Sequence, residues 1–261
     1  MTVKIDLSGK TALVTGSSSG IGLRLLEKLI ESGCDTIYIH SSGREESVKN
    51  AQLQLGRLNT VYGFHVQGPF VADISDSDEV EAMVEQIAGC GRLDIVINNA
   101  GMNIDKLAMR MKKKEFSEVI NTNLCGTFYC CQEAFKIMSK QNPKGGNIIN
   151  ISSVVGTNIV NIGQVNYAAS KVGIIALTEH LALEYAPYKV LVNAVSPGFV
   201  NTGMTNRLPE RINKEEIKEV LPLKRFAIPD DIFQAIIPLL DSDSYITGTN
   251  ILVDGGLSLI R

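Results

Sequence analysis

A glycine-rich stretch, Thr15-Gly16-Ser17-Ser18-Ser19-Gly20-Ile21-Gly22, separates the β-branched run Thr11-Ala12-Leu13-Val14-Thr15 from a helical pattern over residues 23–32. Glycine permits tight turns and close backbone approach, so the stretch predicts a strand, a sharp turn and a helix. The same alternation continues along the chain. Strands are expected at 36–40, 93–98, 147–152, 189–195 and 250–253, and a third strand near 60–64, whose end the irregular run Gln67-Gly68-Pro69-Phe70-Val71 leaves open. Helices are expected over 45–58, 76–88 with Ser75 or Asp76 as cap, 113–138 with a break or bend near Asn123 and Gly126, 167–185 and 231–240. Strands alternating with helices build βαβ units, which predicts an α/β three-layer sandwich around a mostly parallel sheet of about seven strands.

The 261 residues are enough for a large core, and no shift of composition, repeat or low-complexity tract marks a boundary, so one domain over 1–261 is expected. Charge is nearly balanced, 25 basic against 28 acidic residues with a formal net of -3, which argues against a broad nucleic-acid surface. Cys34, Cys90, Cys125, Cys130 and Cys131 have no metal-ligand or CxxC spacing and are expected to be buried small hydrophobes in a reducing compartment, with no metal bound. The opening Met-Thr-Val-Lys-Ile-Asp lacks the features of an export signal, and no apolar run is long enough to span a bilayer. The expectation is a soluble cytoplasmic protein without a membrane or nucleic-acid partner.

The glycine-rich turn also points to a ligand. Gly16, Ser18, Ser19, Gly20, Ile21 and Gly22 surround a helix start, where unpaired N–H groups and the positive end of the helix dipole suit a pyrophosphate. This is the arrangement of a Rossmann-type dinucleotide fold, in which an acidic residue after the second strand often binds the adenosine ribose. Here that place holds His40, Ser41, Ser42, Gly43 and Arg44, without a carboxylate. The serines and Arg44 suit a 2′-phosphate, so NADP(H) is favoured over NAD(H), although Arg44 also fits a solvated helix start. Asp73, followed by Ile74, is placed to accept from the adenine amino group or to cap the next helix. Asn98-Asn99-Ala100-Gly101 follows the fourth strand, where ligands bind in open α/β sheets and where Asn99, Ala100 and Gly101 let a flat ring approach the backbone.

Downstream of these lies Ser153, then Asn166-Tyr167-Ala168-Ala169-Ser170-Lys171. On a helix the four-residue spacing puts the Tyr167 phenol and the Lys171 ammonium on one face. A cation beside a phenol favours the phenolate, so Lys171 is expected to lower the Tyr167 pKa for proton transfer.

The chain resembles the short-chain dehydrogenase/reductase family through TGSSSGIG at 15–22, NNAG at 98–101, Asn123, Ser153, YxxxK at 167–171 and Pro197-Gly198. Within it, Met109-Arg110-Met111, Ile151-Ser152-Ser153, Ser196-Pro197-Gly198-Phe199-Val200-Asn201-Thr202 and Asp254-Gly255-Gly256 resemble the 3-oxoacyl-(acyl-carrier-protein) reductase group. The resemblance implies that Ser153 binds a substrate carbonyl, Tyr167 supplies the proton, Lys171 holds the nicotinamide ribose, and Asn123 anchors a water of the proton relay. It also implies that Pro197, Gly198, Val200 and Thr202 close the nicotinamide side. Ser152 faces away from Ser153 on a strand, so one serine alone can point at the site.

The separation of Ser153 from Tyr167 is one residue longer than the common family arrangement, with the excess in the run Asn158 to Gly163. Residues 203–219 have the composition of a substrate lid. The implied reaction is NADPH-dependent reduction of a 3-oxoacyl thioester, with an acyl carrier protein as partner and a homotetramer as assembly. Lys144, Lys189 and the run Arg110, Lys112, Lys113, Lys114 fit a docking surface or a solvated face, whereas Tyr188 stands where carrier-dependent relatives tend to be basic. Two other readings stay open: action on a free ketone, polyketide, sugar or secondary alcohol with NAD(H) or NADP(H), and a non-catalytic nucleotide sensor or scaffold.

Overall fold

The β-branched runs pair side by side because their side chains are apolar on both faces, which suits a parallel sheet covered by helices. In the computed structural model, which describes residues 5–63, 65–201 and 214–260, the chain runs β1 (Thr11–Val14), α1 (Gly20–Glu31), β2 (Thr36–Ser41), α2 (Glu45–Tyr62), β3 (Val66–Val71), α3 (Ser77–Gly89) and β4 (Ile95–Asn98). It continues through α4 (Lys113–Ile120), a π turn (Asn121–Cys125), α5 (Gly126–Met138), β5 (Gly146–Ile151), α6 (Val165–Tyr185), β6 (Val190–Pro197), α7 (Lys214–Val220), α8 (Pro229–Ile236) and β7 (Asn250–Val253). The sheet has seven strands in the order β3-β2-β1-β4-β5-β6-β7, each pair parallel. The expected Rossmann-type architecture is therefore present. Strand order reverses between β1 and β4, and their carboxyl ends open a crevice there.

Two apolar clusters cover the two faces. Ala12 and Val14 of β1 pack with Ile37, Ile39, Ile95 and Ile97 beneath α1, α2 and α8, whereas Leu13 packs with Tyr38, Val96 and Ile148 beneath α3, α5 and α6. This is the period-two alternation of a strand buried on both sides. Among the described residues no helix is long and apolar enough to cross a membrane. Of the cysteines, Cys34, Cys130 and Cys131 are buried, and burial pushes the Cys34 and Cys130 thiols up to about 12. Cys90 and Cys125 depart from the expectation: Cys90 caps the solvent end of α3 and is exposed, and Cys125, at the end of the π turn, is half-buried.

The third strand is also a correction. Residues expected to begin it are helical, since α2 continues to Tyr62 and ends at Gly63, whose φ of 78° lets its N–H reach the Asn59 carbonyl. The Asn59 side chain then pairs with both the N–H and the carbonyl of Val66 at 3.1 and 3.0 Å, which starts β3. Register slips along β2, where Tyr38 opposes Gln67 but His40 opposes Phe70, so Gly68 and Pro69 form a bulge at the sheet edge. Gly68 has φ of 119°, and a Cβ there would lie 2.9 Å from the Ile39 carbonyl oxygen.

The long helix breaks where expected. The π turn carries Asn123, fully buried, and hands over to α5 at Gly126. A Cβ at Gly126 would lie 2.6 Å from the Ile74 carbonyl oxygen and 3.0 Å from its side chain, whereas a Cβ at Gly56, on the exposed face of α2, meets nothing within 4 Å. Gly126→Ala should destabilise the protein by about 1–3 kcal/mol, and Gly56→Ala should stabilise it by about 0.5–1 kcal/mol, read from urea midpoints. Equal midpoints for the two variants would refute this packing.

Candidate active site

The turn after β1 is shaped by what touches it. Gly16 and Gly20 adopt φ of 63° and 60°. A Cβ at Gly16 would lie 2.9 Å from the Ala100 Cα, and one at Gly22 would lie 2.5 Å from both the Gly16 carbonyl oxygen and the Asn99 Nδ2. The loop after β4 is pressed against this turn and bonded to it. The N–H groups of Asn99 and Ala100 both donate to Thr15 Oγ1 at 3.0 Å, and Asn99 Nδ2 donates to the Thr15 and Gly16 carbonyls at 3.0 and 3.3 Å.

At the start of α1, Ser19 occupies the cap position without a side-chain capping bond. The first intrahelical bond is Leu23 N–H to the Ser19 carbonyl, so the N–H groups of Gly20, Ile21 and Gly22 have no acceptor within the helix. A Cβ at Gly20 would meet nothing within 4 Å, which leaves open space beside these donors. A diphosphate fits this cradle.

The adenosine end differs from the expectation. His40 and Ser41 are fully buried. The His40 ring takes the Gly16 N–H on Nδ1 at 2.9 Å and lies 3.0 Å from the Ala72 carbonyl through Nε2, while Ser41 Oγ donates to Ser47 Oγ at 2.9 Å. Neither side chain therefore faces a 2′-phosphate, because the loop and the start of α2 use their polar atoms. Ser18 shares the same hub, 3.3 Å from Ser47 Oγ. Ser42 is half-buried and Arg44 exposed, and among the described residues the Arg44 guanidinium is in no ion pair. Asp73 accepts from Ser75 N–H and Oγ through Oδ1, as a turn residue does, and Ile74 is buried.

The reactive side chains lie after β5 and on α6. Ser152 Oγ donates to the Lys171 carbonyl at 2.7 Å and so turns under the helix. Ser153 Oγ accepts from Val155 N–H at 3.1 Å and faces the Tyr167 phenol closely enough to favour its phenolate. Lys171 is buried, its Nζ donates to the Ile151 carbonyl at 2.8 Å, and it lies 5.6 Å from the Tyr167 ring centroid. Burial pushes Lys171 down to about 8.

Burial raises the Tyr167 phenol, Ser153 opposes this, and the Asp105 charge adds to it. The expected lowering by Lys171 is thus corrected. One hydrogen of its ammonium goes to a backbone carbonyl, and desolvation of the phenol outweighs the hydrogen bond from Ser153.

Asn123 is bound on every side. Its Oδ1 accepts from Met102 N–H at 2.8 Å, and Nδ2 donates to the Met102 carbonyl at 2.9 Å and Ser170 Oγ at 3.0 Å. Both Nδ2 hydrogens are spent on protein. Gly101 sits above it, where a Cβ would lie 3.2 Å from Asn123 Oδ1 and 3.8 Å from Lys171 Nζ. On the far side, Gly198 N–H donates to the Val253 carbonyl, Pro197 accepts from Val154 N–H, and Val200 is buried. Thr202 and residues 203–213 of the expected lid lie outside the described residues, and its last part forms α7.

Several residues of this architecture have no counterpart in the sequence expectations. Thr15 joins the two loops, and Ser47 joins Ser18 to Ser41. Asp105 accepts from Gln164 Nε2, Lys106 N–H donates to the Gly163 carbonyl and Asn166 Nδ2 donates to the Ile104 carbonyl, which together clamp the start of α6. Asn166 and Ser170 flank Tyr167 in one motif and Thr15 opens the other, whereas Ser47 carries no local signal beyond a small polar side chain.

The family model described as short chain dehydrogenase matches residues 10–213. The chain belongs to the short-chain dehydrogenase family. Short-chain dehydrogenases are nicotinamide-dependent oxidoreductases, and the cradle described above suits that cofactor. The chain is 41% identical over 256 residues to a 3-oxoacyl-(acyl-carrier-protein) reductase of Aquifex aeolicus, covering 98% of this chain and 100% of the relative. It is 39% identical to the protein of the same name from Thermotoga maritima, covering 96% and 98% of the two chains. The solved structure of a putative gluconate dehydrogenase from Agrobacterium tumefaciens has the same fold, with a TM-score of 0.90, 29% identity and 100% of each chain covered.

In a short-chain dehydrogenase with this geometry, the Lys171 proton is lost as pH rises through about 8. The kcat/KM for the nicotinamide cofactor, which reports free-enzyme ionisations, should fall above that pH, and Lys171→Arg should move the fall upward. A profile flat from neutral pH through the Lys171 range would remove the charged ammonium from cofactor binding.

Proposed function

We propose that the chain is an NADPH-dependent carbonyl reductase that converts a 3-oxoacyl thioester to the 3-hydroxyacyl product. The observation that carries this is the convergence of Ser153, Tyr167 and Lys171 beside the glycine cradle, in a chain 39–41% identical to proteins named 3-oxoacyl-(acyl-carrier-protein) reductase.

Gly16, Ser18, Ser19, Gly20, Ile21 and Gly22 would surround the diphosphate, with Ser42 and Arg44 at the 2′-phosphate and Asp73 and Ile74 at the adenine. Asn99, Ala100 and Gly101 would line one side of the nicotinamide, and Pro197, Gly198 and Val200 the other. A bound reduced nicotinamide supplies the hydride that reaches the carbonyl carbon. Ser153 donates to the carbonyl oxygen and steadies its developing charge. Tyr167 gives that oxygen its proton, so hydride and proton together turn the ketone into a secondary alcohol. A phenol raised by burial keeps its proton at neutral pH and is therefore loaded for reduction. Lys171 holds the nicotinamide ribose hydroxyls and offers positive charge to the phenolate that remains.

The same reading places the enzyme in the cytoplasm as a homotetramer that receives its substrate from an acyl carrier protein. An apolar groove between α5 and α6, lined by Leu124, Phe128, Gly173, Ala176 and Leu177, supports an assembly through these helices. The structural likeness to a putative gluconate dehydrogenase favours, as the second reading, a free carbonyl or alcohol substrate on the same centre.

Tyr167→Phe should reduce kcat by about 10²–10⁴-fold while NADPH binding persists by fluorescence titration. Unchanged turnover would sink the proton-donor role. Rates on 3-oxoacyl thioesters of coenzyme A and carrier protein should exceed those on free ketones and sugar acids, and the reverse order would select the second reading. Arg44→Ala should weaken NADPH by about 10–150-fold and spare NADH, since a charge-assisted hydrogen bond to phosphate contributes about 1.5–3 kcal/mol. Equal losses would place Arg44 outside the cofactor site.

A further inference from the structure

His40 is the last residue but one of the second strand, near where a dinucleotide fold presents a side chain to the adenosine ribose. In this chain the ring turns the other way. The bulge at Gly68 and Pro69 lets Phe70 oppose His40 and brings Ala72 alongside, its N–H donating to the Ser41 carbonyl. The imidazole then fills the space between the glycine-rich turn and the end of β3, fully buried. Its Nδ1 lies 2.9 Å from the Gly16 nitrogen and its Nε2 3.0 Å from the Ala72 carbonyl oxygen, and the backbone N–H of His40 donates to Ser17 Oγ at 3.0 Å.

An N–H can only donate and a carbonyl can only accept. The two ring contacts therefore specify a single state of the imidazole, neutral, with the proton on Nε2 and a lone pair on Nδ1.

The geometry points to His40 as a positioning residue for dinucleotide binding, a neutral imidazole that holds Gly16 in its left-handed turn and ties the diphosphate loop to the strand end carrying Asp73. This rests on the dinucleotide reading above and adds to it an inward role for a residue placed to touch the ribose. Two features of the site follow. The Gly16 N–H is unavailable to phosphate, which leaves the donors of Gly20, Ile21 and Gly22 to bind it. The spacing between the diphosphate loop and the adenine end is set by one ring, which donates at one edge and accepts at another. Neutrality is maintained by burial, which pushes the ring down to about 4 against the opposing pull of the Ala72 carbonyl and the Asp73 charge. A protonated ring would set an N–H against the Gly16 N–H.

Three substitutions separate the two ring bonds. His40→Phe fills the volume and removes both, His40→Asn keeps an acceptor near the place of Nδ1, and His40→Gln keeps a donor near the place of Nε2. Fluorescence titration of NADPH and NADH and steady-state kinetics should show His40→Phe and His40→Gln weakening both dinucleotides equally, by about 10-fold, as one unmade buried hydrogen bond predicts. The loss should fall on the cofactor KM rather than on kcat, and His40→Asn should recover most of it. Unchanged binding in His40→Phe, a loss confined to NADPH, or no recovery in His40→Asn would each overturn the role.

Nitrogen-15 NMR of the wild-type ring, one of three histidines in the chain, gives a reading that does not depend on the variants folding. The Nε2–H form at neutral pH is expected, and the Nδ1–H form overturns the proposal. A wild type that binds neither dinucleotide would instead defeat the functional reading on which this one rests.

Discussion

Thr15 Oγ1 accepts from two consecutive backbone N–H groups, those of Asn99 and Ala100, and the crevice depends on that fork. Strand order reverses between β1 and β4, so the loops leaving them diverge to opposite faces of the sheet. Diverging loops leave backbone donors and acceptors at a buried seam, where an unpaired group costs about as much as a lost hydrogen bond. Thr15 supplies the acceptor and Asn99 Nδ2 the donor for the Thr15 and Gly16 carbonyls. With the seam satisfied, glycine at 16 and 22 becomes a steric requirement, because the two loops leave no room for a Cβ. The cradle at the start of α1 follows from that closeness.

Burial acts on the reactive groups in opposite directions. It holds Lys171 down to about 8 and raises the Tyr167 phenol, so the proton donor retains its proton while the ammonium sits near the edge of its charged range. A buried ammonium is costly unless hydrogen-bonded, and the Ile151 carbonyl at 2.8 Å supplies the compensation. The serine at 153 and the aspartate at 105 then pull the phenol in opposite senses. Its proton affinity is a balance of three surroundings rather than the property of a Tyr-Lys pair.

Elements with strong apolar alternation were legible in the sequence: β1, β4, β5 and β7 fall where their β-branched runs predict them, and the helix break lies at Asn123. The region from 60 to 71 was not. Thr60, Val61 and Tyr62 have strand propensity, yet helix α2 carries them until Gly63, because the closing signal is a conformation at Gly63 and a side-chain bridge from Asn59 rather than a composition. The direction of the His40 and Ser41 side chains was equally hidden. A strand position is visible in one dimension, but the partners that turn these polar atoms inward, Gly16, Ala72 and Ser47, come from three other segments. Asn123 shows the same limit, since the bend marks its position and the folded chain alone supplies Met102 and Ser170.

The spacing of Tyr167 and Lys171 illustrates why a motif and a site are different things. A four-residue separation puts the two side chains on one face of any helix, but a lysine stem is long and flexible, so the helix alone does not fix the ammonium. Here β5 does so. The Ile151 carbonyl receives Lys171 Nζ, and Ser152 Oγ donates to the Lys171 carbonyl, so consecutive residues of one strand end hold both ends of the same lysine. Strand alternation then sends the next side chain, Ser153, to the opposite side, toward Tyr167. Shifting β5 by one residue against α6 would exchange the roles of Ser152 and Ser153 and detach the ammonium at once. The parallel register of β5 between β4 and β6, six residues paired to β6, opposes that slip, so the precision of the centre is inherited from sheet pairing rather than from the helix that displays the motif.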